Sequence, residues 1–375
     1  MVTPDLDKRG YYVVGWKKFY NKFQALQYST TNGFNVRWVF NDNVYDHIDW
    51  TIPITTPLKD LYKQRALQLR EKYDHIVLHY SGGQDSNNIL HAFIDNDIHL
   101  DKIIMQVPEP QRHLSVDNDT SWQNYWAEID YQAIPYLKKF ANELAKTVIE
   151  VQDMSVSANQ LFKKDNWSEL VTPNASYNVG VISRAMGQYS DVDLLRLVDK
   201  GRTSCQLLGI DKPLVYFDGT DYYTFFVDQN AYHMAPIDNT LSDLFNASVT
   251  EFFYWTPDMP EIVVKQSQEI KLACELNHTI RSLFTKTLKS EVGIYRTVMQ
   301  HIIYDPAHQP RLQTGKPAQT AGKVLQSWFY EGDQTILNNY EYTINELRKT
   351  VHDDYFVGDN LNTGFSSIHS KFYKL

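Results

Sequence analysis

Ile76-Val77-Leu78-His79-Tyr80-Ser81-Gly82-Gly83-Gln84-Asp85-Ser86 is the stretch whose reading decides the fold. Its first five residues form a short apolar run with turn residues behind it, the form of a parallel strand buried on both faces. From Ser86 the period changes, and Ile89, Leu90, Phe93 and Ile94 recur on one helical face until Asp95-Asn96-Asp97 closes it. Residues 102 to 107 read as a second strand, so 76 to 107 make a βαβ unit whose crossover is expected to be right-handed.

The turn between strand and helix carries the chemistry. A glycine-rich strand-to-helix turn presents several backbone N–H groups to one point, and the positive end of the helix adds to the field there, which makes an anion site. Gly82 and Gly83 lack Cβ, so the main chain can approach phosphate oxygens and take positive φ. Ser81 and Ser86 add hydroxyls. Asp85 would repel a bare phosphate; its sensible role is to hold Mg²⁺. The loop Ser81 to Ser86, Gln84 included, is expected to hold a nucleotide's phosphates. It is neither a Walker loop, since no Gly-Lys-[Ser/Thr] follows, nor a dinucleotide G-x-G-x-x-G.

Outward from this unit, Thr56 as N-cap and Pro57 at the first helical position announce a helix over 57 to 72. Residues 11 to 14 and 36 to 40 read as strands flanking a helix near 19 to 29, an α+β lead-in over 1 to 55. A helix over 129 to 146 and a strand over 147 to 151 continue the alternation, so a three-layer α/β/α parallel-sheet domain is expected over 56 to 232. Further helices are expected near 176 to 188 and 191 to 200, then a strand over 205 to 209. Leu214 to Phe217 and Tyr222 to Val227 flank Asp218-Gly219-Thr220-Asp221, a hairpin signal. Residues 233 to 375 read as a mostly helical domain, dominated by a helix over 261 to 290.

The chain of 375 residues can bury a full core and more than one unit, since single cores stop growing at about 250 to 300 residues. A formal charge of −9 argues against bulk nucleic-acid binding. The two cysteines, Cys205 and Cys274, form no disulfide or thiolate-zinc spacing, and structural roles are expected. The twelve histidines show no H-E-x-x-H grouping, and no zinc is expected. The absence of a signal peptide pattern and of an 18-residue apolar run points to a soluble cytoplasmic protein.

Ser-Gly-Gly-x-Asp-Ser resembles the PP-loop of the N-type ATP pyrophosphatases, such as asparagine synthetase, GMP synthetase, NAD synthetase and the tRNA lysidine and thiolation enzymes. The resemblance implies a HUP-like fold, ATP and Mg²⁺ as cofactors, and cleavage between the α- and β-phosphates with AMP passed to a carbonyl or carboxylate oxygen. Over its length the chain looks similar to the often phage-borne proteins loosely called asparagine-synthetase-like, through Gly209-Ile210-Asp211-Lys212-Pro213, Trp255-Thr256-Pro257-Asp258-Met259-Pro260 with Lys265-Gln266, and Gln313-Thr314-Gly315-Lys316-Pro317. A phage origin would place it in the host cytoplasm. Val2 stands where an N-terminal-nucleophile glutaminase needs cysteine, so ammonia, if used, is free or comes from a separate donor. The acceptor, a small molecule or a nucleobase, is not named by the resemblance, and an oligomer is compatible with it.

Lys212 reaches a phosphate as a point charge or is a solvated turn lysine. Lys316 has the same two readings. Met105 and Val107 line the adenine site or are core. Asp218 and Asp221 bind metal or form the hairpin turn. Arg112 and His113 lie in a loop able to act as a lid, and Arg184, Lys200 and Arg202 offer charge for an anion or are solvated. The leading expectation is an AMP-forming ligase or amidotransferase-like enzyme with Asp85 and Lys212 as its catalytic candidates. Its rivals are a tRNA- or nucleobase-modifying enzyme and a nucleotide-binding module without catalysis.

Overall fold

The computed structural model describes residues 6–107, 126, 128–153, 202–209, 212–228, 248–285, 292–308 and 368–375, with isolated residues between 334 and 354. Elements below are numbered among these. The expected helices near 176 to 188 and 191 to 200 lie outside them.

The apolar run at 76 to 80 forms β4 (His75–His79), and the periodic stretch after it forms α4 (Gln84–Ile94). With β5 (Lys102–Val107) and β6 (Val148–Asp153) on one side and β7 (Ser204–Leu208) and β10 (Ser248–Phe252) on the other, β4 is the centre of a five-stranded sheet ordered β10-β7-β4-β5-β6. Every neighbouring pair is parallel. Ile76, Leu78, Ile103, Met105 and Leu207 point into the main core with Ile89, Leu90 and Phe93 of α4, while Val77 and Ile104 make a separate buried pair. Alternation along a strand places these two sets on opposite faces, so both faces are covered and the fold is α/β.

Strands β5 and β6 are laid down to one side of β4, after which the chain returns to build β7 and β10 on the other. The carboxyl ends of β4 and β7 therefore flank a topological switch point, where open α/β sheets bind ligands.

Four boundaries differ from the sequence expectation. β10 comes from beyond residue 232 and pairs with β7 over Ser248↔Ser204 to Phe252↔Leu208, so the sheet runs through the expected domain boundary. Its polar Glu251 is accommodated by Arg65, a fully buried guanidinium on α3 (Leu58–Lys72) that donates to Glu251 Oε2 at 3.0 Å and to Phe252 O at 2.9 Å. The helix expected over 129 to 146 is a π-turn at Glu128–Ala133 followed by α5 (Ile134–Lys139). Pro135 has no N–H to give residue 131, which favours the wider turn before it. Pro57, not Thr56, occupies the cap of α3, in extended conformation. The long C-terminal helix is two, α6 (Glu261–Leu276) and α7 (His278–Thr285), because Asn277 turns extended and its side chain accepts the N–H groups of Thr279 and Ile280.

The lead-in is an antiparallel sheet ordered β2-β1-β3, from β1 (Tyr11–Val14), β2 (Lys17–Phe19) and β3 (Val36–Val39), with α1 (Lys22–Asn32) and a short α2 (Asp42–Tyr45). The expected hairpin is present as β8 (Leu214–Phe217) and β9 (Tyr222–Phe225), extended by β11 (Tyr373–Lys374). Lead-in and hairpin share one core: Phe226 packs against Phe40, Tyr45 and Trp255 with ring centroids 4.7–4.9 Å apart. Beneath it, Lys22 Nζ meets Asp228 Oδ2 at 2.6 Å with neither side chain exposed, and Tyr12 donates to the same oxygen at 2.9 Å. A further helix, α8 (Val292–Ile303), is followed by Tyr304 and then a short 3-10 turn, Pro306–His308. Among the described residues no helix is long and apolar enough to cross a membrane.

Candidate functional site

The chain leaves β4 through Tyr80, whose buried hydroxyl donates to Asn87 on α4, and turns at Ser81-Gly82-Gly83. Gly82 has φ +73°, and a Cβ there would lie 2.9 Å from Ala133 Cβ. Both facts require glycine. Gln132 donates to Gly82 O, so the π-turn forms a wall behind the loop. Gly83 does not use the positive φ open to glycine: at φ −75° and ψ 169° it is the extended N-cap of α4 and supplies no side-chain cap. The first turn of α4 thus begins at a residue with no side chain to compete with an anion.

Ser81 Oγ accepts from Gly83 N at 3.2 Å, and Ser86 Oγ donates to Gly83 O at 3.0 Å. The two hydroxyl oxygens are 3.4 Å apart, so the serines brace the loop in this conformation. Gln84 and Ser86 are buried in the first turn, and Asp85 between them is partly exposed.

Asp85 is where distant parts of the chain meet. Lys212 Nζ lies 2.6 Å from its Oδ2, and the hydroxyl of Tyr304 donates to its Oδ1 at 2.7 Å. Tyr254, just beyond β10, donates to its backbone carbonyl at 2.9 Å and accepts from Asn88 Nδ2 at 3.0 Å. Gly209, at the end of β7, lies so close that a Cβ there would be 3.3 Å from Asp85 Cβ and 3.2 Å from Ile89 Cδ1. That approach sets the end of β7 against the first turn of α4, beside the contact that Lys212 makes with Asp85. Burial first, then the charge of Asp85, holds the Tyr304 phenol well above its ordinary range, so it stays a hydrogen-bond donor. With side chains only 7% and 17% exposed, Lys212 and Asp85 make a largely buried ion pair, of a kind whose breaking by loss of one partner costs about 3–5 kcal/mol.

The remaining candidates fall elsewhere. Met105 and Val107 are fully buried in the main core on β5. Arg202 is exposed and precedes β7; in a parallel sheet that is the amino edge, opposite the loop, and Thr203 there bonds Asp74. Asp218 accepts the N–H groups of Thr220 and Asp221 at 2.8 Å each, and Asp221 pairs with Lys374, so both serve the hairpin turn. Cys205 and Cys274 are buried, and burial pushes the Cys274 thiol up to about 12. Lys316, Arg112, His113, Arg184 and Lys200 lie outside the described residues.

One grouping was not foreseen. His91 on α4 and Asp95, the C-cap a turn later, meet His308: Asp95 Oδ1 is 2.9 Å from His91 Nδ1, and Asp95 Oδ2 is 3.2 Å from His308 Nε2. Their ligand atoms lie within 4.8 Å of one another. The two rings are stacked, centroids 3.6 Å apart and 3° from parallel, so their in-plane lone pairs run in parallel planes and do not converge on one ion. The cluster ties the 304–308 segment to the far end of the helix whose first turn holds Asp85.

The chain matches no protein-family model and no curated protein.

Proposed function

We propose that the protein is an AMP-forming, ATP-dependent ligase of the PP-loop kind with a HUP-like sheet, activating a carbonyl or carboxylate for attack by an amine or ammonia. The observation that carries this reading is the meeting of Asp85 and Lys212 beside a glycine loop at the switch point of a parallel sheet. The residues fit a triphosphate: Gly82 turns where a Cβ would clash, Gly83 opens a helix without a side-chain cap, and Lys212 brings a cation to the loop.

In this reading the amides of the Ser81–Ser86 loop and the start of α4 grip the pyrophosphate end of ATP, and Lys212 offsets charge there. Mg²⁺, held through Asp85, would supply further neutralisation of the leaving pyrophosphate. The acceptor oxygen attacks the α-phosphorus, the bond to the β-phosphate oxygen breaks, and pyrophosphate leaves. The nucleophile then attacks the acyl carbon and AMP departs.

A second reading, a nucleotide-binding module without turnover, is favoured by one observation: both oxygens of Asp85 are already engaged, by Lys212 and Tyr304. ATP labelled at the α-phosphate, incubated with pools of carboxylate, amide and nucleobase acceptors and ammonia, separates the two. Labelled AMP, abolished by Asp85→Ala, supports the ligase; saturable binding without turnover supports the module.

A further inference from the structure

We propose that Lys212 and Asp85 form an exchangeable latch, so that a phosphate group and a divalent cation enter the site together and each binds poorly without the other. The inference rests on reading the Ser81–Ser86 loop as a phosphate site.

Neither member of the pair can simply turn to water. Asp85 is held by Tyr254 on its carbonyl and by Tyr304 on Oδ1, and Gly209 packs against its Cβ. Lys212 is 6% exposed. A phosphate arriving alone meets the repulsion of the Asp85 carboxylate in the first turn of α4. A cation arriving alone meets the Lys212 ammonium 2.6 Å from the oxygen it needs. Arriving together they let the pair change partners, ammonium to phosphate and carboxylate to metal, and no charge is left without an opposite. The coupling is reciprocal, so the metal tightens phosphate by the same factor as phosphate tightens metal. Tyr304 is the positioning residue, since its protonated phenol keeps the carboxylate aimed while Oδ2 changes partner.

This makes a prediction opposite to that of a simple metal-holding or structural aspartate. In Asp85→Asn the carboxylate that repels phosphate is gone and Lys212 is released, so binding without metal should improve.

The test is calorimetric titration of inorganic pyrophosphate into the full-length protein, with excess Mg²⁺ and with a chelator. Wild type should bind about tenfold or more tightly with Mg²⁺. Asp85→Asn should bind without Mg²⁺ about tenfold more tightly than wild type does, and lose the Mg²⁺ dependence. Lys212→Gln should bind more weakly in both conditions yet keep the dependence, and thermal melts establish that both variants fold. Metal-dependent binding by wild type with no metal-free gain in Asp85→Asn overturns the latch and leaves the phosphate reading standing. No pyrophosphate binding by any of the three proteins, with or without Mg²⁺, overturns both.

Discussion

Lys212 Nζ and Asp85 Oδ2 lie 2.6 Å apart although 127 positions separate them in the chain. The contact exists because β7 returns beside β4, and because Gly209, just past the end of β7, lies against the first turn of α4. Lys212→Met should destabilise the protein by about 3 kcal/mol, the low end for a broken buried pair because Tyr304 still serves Asp85. Urea denaturation of Lys212→Met, Asp85→Asn and the double variant checks this: the double should be less destabilised than the sum of the two singles.

Gly82 and Gly83 are adjacent in sequence and unequal in structure. Gly82→Ala must place a side chain at φ +73° against Ala133, and should cost about 1–3 kcal/mol while distorting the loop. Gly83→Ala keeps an allowed φ of −75° and should cost no more than about 1 kcal/mol. Thermal unfolding of the two variants ranks them, and equal losses would remove the argument for a strained Gly82.

Lys22, Asp228 and Tyr12 join α1, the end of the hairpin and β1 in a setting without solvent. Lys22→Met leaves Asp228 without its cation and should cost about 3–5 kcal/mol, whereas Lys22→Met with Asp228→Leu should recover much of the loss. A loss below about 1 kcal/mol in the single variant, read from urea midpoints, would mean the pair is solvated in solution.

Burial lowers the His91 pKa from its ordinary value of 6.5, with the stacked His308 adding to the effect and Asp95 opposing it. The folded protein therefore binds fewer protons at this position than the unfolded chain. The stability His91 contributes is full above pH 6.5 and is lost as pH falls from there toward its lower folded value. Denaturation midpoints between pH 8 and pH 5 should decline below about 6.5 in wild type and decline less in His91→Gln, and identical slopes would contradict the assignment.

The βαβ unit was legible because its signals are local: an apolar run, a switch of period at Ser86, and glycines between. β10 was not, because Glu251 makes Ser248-Val249-Thr250-Glu251-Phe252 look too polar for a buried strand, and its compensation by Arg65 comes from 186 residues away. Asp85 and Lys212 could each be chosen by residue chemistry, but chain order does not say that β7 crosses back beside β4. Tyr254 and Tyr304 carried no signal, since an aromatic residue in an apolar stretch reads as core and only the fold aims its hydroxyl. His91 and Asp95 have helical spacing that was visible, while His308 joins them from 217 positions beyond His91 only through packing.

The proposed role of the Ser81–Ser86 loop, with Asp85 and Lys212, is cleavage of ATP between its α- and β-phosphates. Product analysis with α-labelled ATP, Mg²⁺ and pooled acceptors tests it most directly. Labelled AMP with equimolar pyrophosphate is expected, lost in Asp85→Ala and in Lys212→Met. Labelled ADP with inorganic phosphate would contradict it.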